Sequence, residues 1–173
     1  MSIDIVSLIR DVPDFPKPGI LFKDITPLLA NGPGLRAVVD AFADRHRGRI
    51  DAVVGVESRG FLLGAPVAYA LGVGLCIVRK PGKLPHDVHT VEYELEYGSD
   101  TLEIHRDALV PGARVLVLDD LLATGGTARA TVALAEACGA HVVECGFLVE
   151  LAFLGGRDAL APVPVHSLLR VES

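Results

Sequence analysis

"ARVLVLDDLLATGGTARA", residues Ala113–Ala130, carries the pattern from which the fold is read. Four apolar residues, Val115-Leu116-Val117-Leu118, run into Asp119 and Asp120 and then into Thr124-Gly125-Gly126-Thr127. A short continuous apolar run marks a strand buried on both faces, as in parallel sheets. A helix is expected from about Gly126 to Cys138. Ala128, Val132, Ala135 and Cys138 share one face of it, and Gly139 stands where a helix stops. Two adjacent carboxylates repel each other and are costly to bury without partners. Their place at a strand tip, just before a glycine turn, calls for a ligand.

The same strand-then-helix unit recurs on either side. "DAVVGVE" (Asp51–Glu57) reads as a buried strand, "RGFLLGAPVAYALG" as its helix, and Val73–Lys80 as the next strand. "HVVECGFLVE" and "VHSLLRV" supply two more. The expected class is α/β, a mostly parallel sheet of about five strands flanked by helices. "VEYELEYGSDTLEIH" departs from this: it alternates apolar and polar residues around Gly98-Ser99-Asp100, the mark of a half-exposed antiparallel hairpin. The Pro- and Gly-rich "RKPGKLPHDVHT" before it makes residues 79–106 a lid and hairpin. "FPKPGILFKDITPLL" reads as a cover separate from the sheet, within residues 1–30. All lie in one expected domain over residues 1–173.

Composition narrows the function classes. Sixteen Lys and Arg against 22 Asp and Glu give a net charge of −6, unsuited to a general nucleic-acid or membrane-surface binder. An anionic ligand then needs its cations gathered locally, and "RKPGK" gathers Arg79, Lys80 and Lys83. The apolar runs are too short to span a bilayer, and the first residues lack a secretory pattern. Cys76, Cys138 and Cys145 sit among apolar neighbours without metal-type spacing. They read as reduced, buried thiols of a cytoplasmic protein.

Ligands of open α/β sheets bind beyond the carboxyl ends of the strands, where Asp119 and Asp120 stand. Alternation along a strand predicts that the two point different ways rather than forming one dyad. Acceptor-only groups there suit a metal or a vicinal diol such as ribose hydroxyls. Ala123 to Thr127, small and glycine-rich at a helix N-terminus, suit a phosphate held by main-chain N–H groups. Together they describe a site for a ribose 5-phosphate. A Walker-type loop is absent, and so is a G-x-G-x-x-G turn after a strand.

"VLVLDDLLATGGT" resembles the phosphoribosyl-pyrophosphate signature of the type I phosphoribosyltransferases. "FPKPGILFKDITPLL", "GVESRGFLLGAPVA", "RKPGKLP", "YELEYGSDTLEIHRDAL" and "APVPVHSLL" are similar, in the same order, to the adenine phosphoribosyltransferase family. The likeness runs from Phe15 to Leu169. It implies transfer of ribose 5-phosphate from phosphoribosyl pyrophosphate to adenine, giving AMP and pyrophosphate with Mg2+, in a homodimer. It implies that Arg59, Arg79, Lys80 and Lys83 serve the pyrophosphate, with Arg59 and Lys80 catalytic. A cation at a helix N-terminus, as at Arg59, itself asks for an anionic partner.

Asp119 and Asp120 would take the ribose hydroxyls, and Ala123, Thr124, Gly125, Gly126 and Thr127 the 5-phosphate. Magnesium would be held mainly by substrate oxygens, with no direct protein ligand. Leu21 to Lys23 would select the adenine amine through backbone carbonyls, with Phe22 stacked on the purine and Leu151 opposite. Glu96 would manage the purine proton, and Tyr97, of the same lid motif, would bind phosphoribosyl pyrophosphate. The Glu57–Ser58 peptide is implied to be cis. His86-Asp87 stands where a glycine is common, which bears on the lid. His86, His89 and His105 read as exposed or hairpin histidines without a metal arrangement. Two alternatives remain open: a phosphoribosyltransferase for another purine base, and a non-catalytic regulator that binds phosphoribosyl pyrophosphate.

Overall fold

The structure, a computed structural model, describes residues 3–95 and 98–173. Its centre is a five-stranded parallel sheet of β3 (Ala52–Val56), β4 (Gly74–Val78), β7 (Arg114–Leu122), β8 (His141–Leu151) and β9 (Val165–Val171). The spatial order is β4-β3-β7-β8-β9. β7 is central because its apolar run can be covered on both faces. Val115 and Val117 belong to a core beneath α4 (Gly126–Ala137), whereas Leu116 and Leu118 belong to a second core with α2 (Gly32–His46) and α3 (Arg59–Leu71). Each fully buried Leu or Val contributes about 1.5–3 kcal/mol.

The expected strands and helices are present, and α4 ends at Gly139, whose φ of 82° is cheap only for glycine. α2 was not singled out from the sequence. It starts on Gly32-Pro33, is capped by the Asn31 side chain accepting from the Gly34 N–H at 2.8 Å, and buries Val38, Val39 and Phe42.

The N-terminal cover has strands of its own: β1 (Arg10–Pro13) and β2 (Leu21–Asp24) pair antiparallel, with Val12 opposite Phe22, and lead into the short α1 (Thr26–Ala30). It stays apart from the main sheet, as expected: among the described residues the two strands pair with each other alone. The lid hairpin, β5 (Val88–Glu94) with β6 (Ser99–His105), turns earlier than Gly98-Ser99-Asp100. Glu94 already pairs with Ser99, and Gly98 takes the left-handed position at φ 83°, so Ser99 and Asp100 are strand residues.

β7 also runs past Asp120 to Leu122. β3 pairs with it only as far as Leu118, whereas β8 follows to Leu122. The sheet is therefore stepped, and the two aspartates stand on the step, held by β8 and uncovered by β3. Cys76, Cys138 and Cys145 are all free and buried. Burial pushes the Cys76 and Cys145 thiols up to about 12. Among the described residues no helix is long and apolar enough to cross a membrane.

Candidate active site

A cavity of about 500 Å³ opens on that step, between the tip of β7, the start of α4 and the lid hairpin. Asp119, Asp120, Arg59, Lys80 and the whole turn from Ala123 to Thr127 line it. The turn works as a cradle because its helix cap is Gly125, at φ 88° and with no side chain to accept from the first-turn N–H groups. Those donors and the helix dipole therefore face the cavity. Gly125 is also crowded from behind: a Cβ there would lie 2.8 Å from the Gly156 carbonyl. Gly156, which opens the short α5 (Gly156–Ala159), has no room for a Cβ either, since it would strike the Ala123 carbonyl. The cradle is thus braced by a residue that the sequence did not mark.

Asp120 is buried, and its Oδ2 receives Arg59 Nε at 2.7 Å. Arg59, at the α3 N-terminus, thus rests on a carboxylate of the protein itself. Gly60, next in α3, allows the approach: a Cβ there would stand 2.9 Å from the Leu118 carbonyl and 3.1 Å from Asp119 Oδ1. Asp119 Oδ1 accepts the Asp120 N–H at 2.8 Å. The expected divergence of the two carboxylates is incomplete, because both line one cavity. Burial, and then the Asp120 charge, push the Asp119 carboxyl well above its usual range.

The other expected cations are all engaged. Glu57, at the end of β3, accepts from Arg79 at 3.3 and 3.4 Å, from the Lys80 N–H at 2.8 Å and from Lys83. Burial alone would raise the Glu57 carboxyl, but Lys83, the Lys80 N–H and Arg79 outweigh it and hold it at about 2. Arg79 and Lys83 do not line the cavity, whereas Lys80 does, paired with Asp100 of β6. The Glu57–Ser58 peptide is cis.

On the cover, Phe22 meets Phe15 edge-on at 5.1 Å and carries the Arg59 guanidinium over its ring at 5.3 Å. Val12, Phe15, Phe22 and Asp24 line a second, shallower cavity of about 290 Å³. Lys23 pairs with Asp11 at 2.6 Å, and Leu21 is exposed. Leu151 ends β8 and packs against the second core; it lines neither cavity. Glu96 and Tyr97 lie outside the described residues. His86 is exposed, and among the described residues no group of three or more His, Cys, Asp or Glu is set to hold a metal.

A carboxylate pair beside an N-terminal helix cradle, at the carboxyl edge of a parallel sheet, is an arrangement suited to a sugar phosphate. Residues 24–160 match the family model for the phosphoribosyl transferase domain, and the chain belongs to that family. Its similarity is to adenine phosphoribosyltransferases over nearly all its length. The one from Roseiflexus sp. (strain RS-1) is 57% identical over 171 residues, covering 98% of this chain and 99% of the relative. The crystal structure of the Thermoanaerobacter pseudethanolicus enzyme superposes with a TM-score of 0.94 at 50% identity, covering 96% of this chain and 98% of that one. The Saccharomyces cerevisiae enzyme, crystallised with an imino-altritol bisphosphate and adenine, gives 0.92 at 43% identity, covering 95% and 96%.

Proposed function

We propose that this chain transfers the 5-phosphoribosyl group from phosphoribosyl pyrophosphate to adenine, giving AMP and pyrophosphate in purine salvage. The observation that carries the reading is the cavity that brings Asp119, Asp120, Arg59 and Lys80 to the Ala123–Thr127 cradle. The transition state gathers positive charge on the anomeric carbon and negative charge on the departing pyrophosphate, so the work is charge neutralisation and alignment. The cradle N–H groups hold the 5-phosphate. Asp119 and Asp120 accept the ribose hydroxyls, and Arg59 and Lys80 face the leaving group. Arg79 and Lys83 join them when they leave Glu57. Tyr97 and the lid, residues 79–106, close over the sugar, and Glu96 takes the purine proton.

The donor set fits a magnesium ion carried by the substrate. One oxygen of Asp119 and one of Asp120 are already engaged, which leaves too few protein ligands for an all-protein cage. Five carboxylates, Glu57, Glu94, Asp100, Asp119 and Asp120, line the cavity against the two cations Arg59 and Lys80. A polyanion meets net repulsion there unless a dication accompanies it. Bound magnesium would screen the phosphate charges.

Adenine is selected by the cover. A two-stranded ribbon leaves half the backbone groups of each strand pointing outward, so the free edge of β2 keeps carbonyl acceptors within Leu21–Lys23 for the exocyclic amine. Phe22 gives a stacking face, and Leu151 closes the other side. Phe22→Ala should lower kcat/KM for adenine by roughly tenfold or more, the worth of one base stack, with KM for phosphoribosyl pyrophosphate little changed. Equal loss on both substrates would instead make Phe22 an anchor of the cover. Gly156→Ala should push the Ala123 carbonyl into the cradle and weaken ribose 5-phosphate binding about tenfold, read by calorimetry.

The homodimer implied by the resemblance has a suitable face. No charged residue occurs from Gly60 to Val78, yet Leu62, Tyr69 (90% exposed) and Leu75 stand on the surface. Three buried free thiols support a reducing compartment, the cytoplasm. Incubation with phosphoribosyl pyrophosphate, magnesium and a panel of free bases tests the reading, with sedimentation of the same sample for the dimer. AMP from adenine far ahead of other nucleotides is expected. Turnover on hypoxanthine or guanine instead would move the assignment to another purine base, and no turnover at all would favour a regulator.

A further inference from the structure

Each of the four cations assigned to pyrophosphate is held by a carboxylate: Arg59 by Asp120, Arg79 and Lys83 by Glu57, and Lys80 by Asp100. Asp100 differs from the others in its place. It sits on β6 of the lid hairpin and still lines the cavity. Its Oδ2 receives Lys80 Nζ and the Tyr93 hydroxyl, the latter at 3.3 Å, and Oδ1 accepts the Thr101 N–H at 2.8 Å. The same Tyr93 hydroxyl lies 3.3 Å from Thr127 Oγ1 in the phosphate cradle. Tyr93 is buried, and a Cβ on Gly126 would stand 3.4 Å from its ring. One carboxylate therefore joins a leaving-group cation, the lid and the cradle.

A carboxylate inside a polyanion site opposes its ligand, and Lys80 cannot serve Asp100 and a phosphate equally. Lys80, first, and then the Thr101 N–H hold the Asp100 carboxyl below its usual range against its partial burial. It is therefore ionised at neutral pH.

We propose that Asp100 is a positioning residue that holds Lys80 and competes with pyrophosphate for it, so that the product is let go as Lys80 returns to Asp100. The inference rests on the functional reading above and extends it to a residue that the sequence marked only as part of the hairpin turn. Arrival of the pyrophosphate group takes Lys80 from Asp100. Its departure restores the pair, and with it the link through Tyr93 to Thr127.

The test is calorimetric binding of magnesium pyrophosphate to the wild-type chain, Asp100→Asn and Asp100→Ser at low and high salt, with KM for adenine measured alongside. Asn keeps the shape and a partner for Tyr93; Ser keeps neither, so the two separate charge from scaffolding. Both variants should bind about fivefold to twentyfold more tightly at low salt, as expected for removing one nearby like charge. The gain should shrink at high salt, and KM for adenine should stay within twofold. Unchanged or weaker pyrophosphate binding in a folded variant overturns the proposal, as does a gain indifferent to salt. AMP formation by the wild type without tighter binding in the variants removes the role of Asp100 alone. Pyrophosphate binding with the expected gain but no AMP from adenine removes the functional reading alone, and no pyrophosphate binding by the wild type removes both.

Discussion

Asp119→Asn and Asp120→Asn should each lower kcat/KM for phosphoribosyl pyrophosphate by at least about a hundredfold, while the far-UV circular dichroism stays unchanged. A factor of this size is typical when one preorganised polar contact to a transition state is removed, about 3 kcal/mol. The two losses have different causes. In Asp120→Asn the buried partner of Arg59 becomes neutral, so the guanidinium loses its anchor 2.7 Å away as well as a hydroxyl acceptor. In Asp119→Asn a carboxyl already pushed up by burial and by its neighbour is replaced by an amide of the same shape. Melting temperature should therefore hold or rise in Asp119→Asn and fall modestly in Asp120→Asn. Wild-type turnover in both variants would remove the carboxylate pair from the site.

Glu144→Gln should produce the opposite phenotype, a large loss of stability with the chemistry intact. Glu144 is buried on β8, outside the cavity, and takes two hydrogen bonds of 2.7 Å from Arg45 and one of 2.8 Å from His46 Nε2. Breaking one partner of a fully buried charged network costs about 3–5 kcal/mol, but Arg45 is 40% exposed and water takes up part of its charge, so the expected loss is about 1–3 kcal/mol. For a chain of this size that is a fall in Tm of roughly 2–12 °C.

The pH dependence carries a sign that can be checked. Burial alone would raise the Glu144 carboxyl, but Arg45 and His46 hold it at about 2 against an ordinary 4.5. A depressed carboxyl contributes stability above its unfolded value and loses it as pH falls through its folded one. Wild-type stability should thus fall steadily from about pH 5 to pH 2, with Glu57 adding to the slope in the same window. In Glu144→Gln the slope should be shallower, since one of the depressed carboxyls no longer titrates. A variant that melts with the wild type at pH 7 would show that the network contributes little.

The features legible from sequence were those written locally. Val115–Leu118 could only be a strand covered on both faces, and the glycine turn that follows could only precede a helix. Asp119, Asp120 and the cradle were legible for the same reason: their neighbours in sequence are their neighbours in the site. The carboxylates that hold the cations were not. Glu57 and Lys83, or Lys80 and Asp100, lie 26 and 20 residues apart and meet only when β3, β4 and the hairpin are assembled. Gly156 was missed because its need for glycine comes from Ala123, on another loop. α2 was missed because its first turn, Gly32-Pro33-Gly34, reads as loop, although proline is favourable at that position. Glu144 looked like one more residue of an apolar strand, and only the packing of α2 against it reveals its partners.

The ribbon of β1 and β2, which among the described residues shares no strand pairing with the main sheet, has a further consequence. On the proposed reading, the groups that grip the sugar are rooted in the stiff centre of the molecule, whereas Phe22 and the β2 edge, which meet one side of the base, sit on an appendage. Taste for one nucleobase over another should then drift, or be transplanted, mainly by rewriting that ribbon, with the residue at Leu151 adjusted to match.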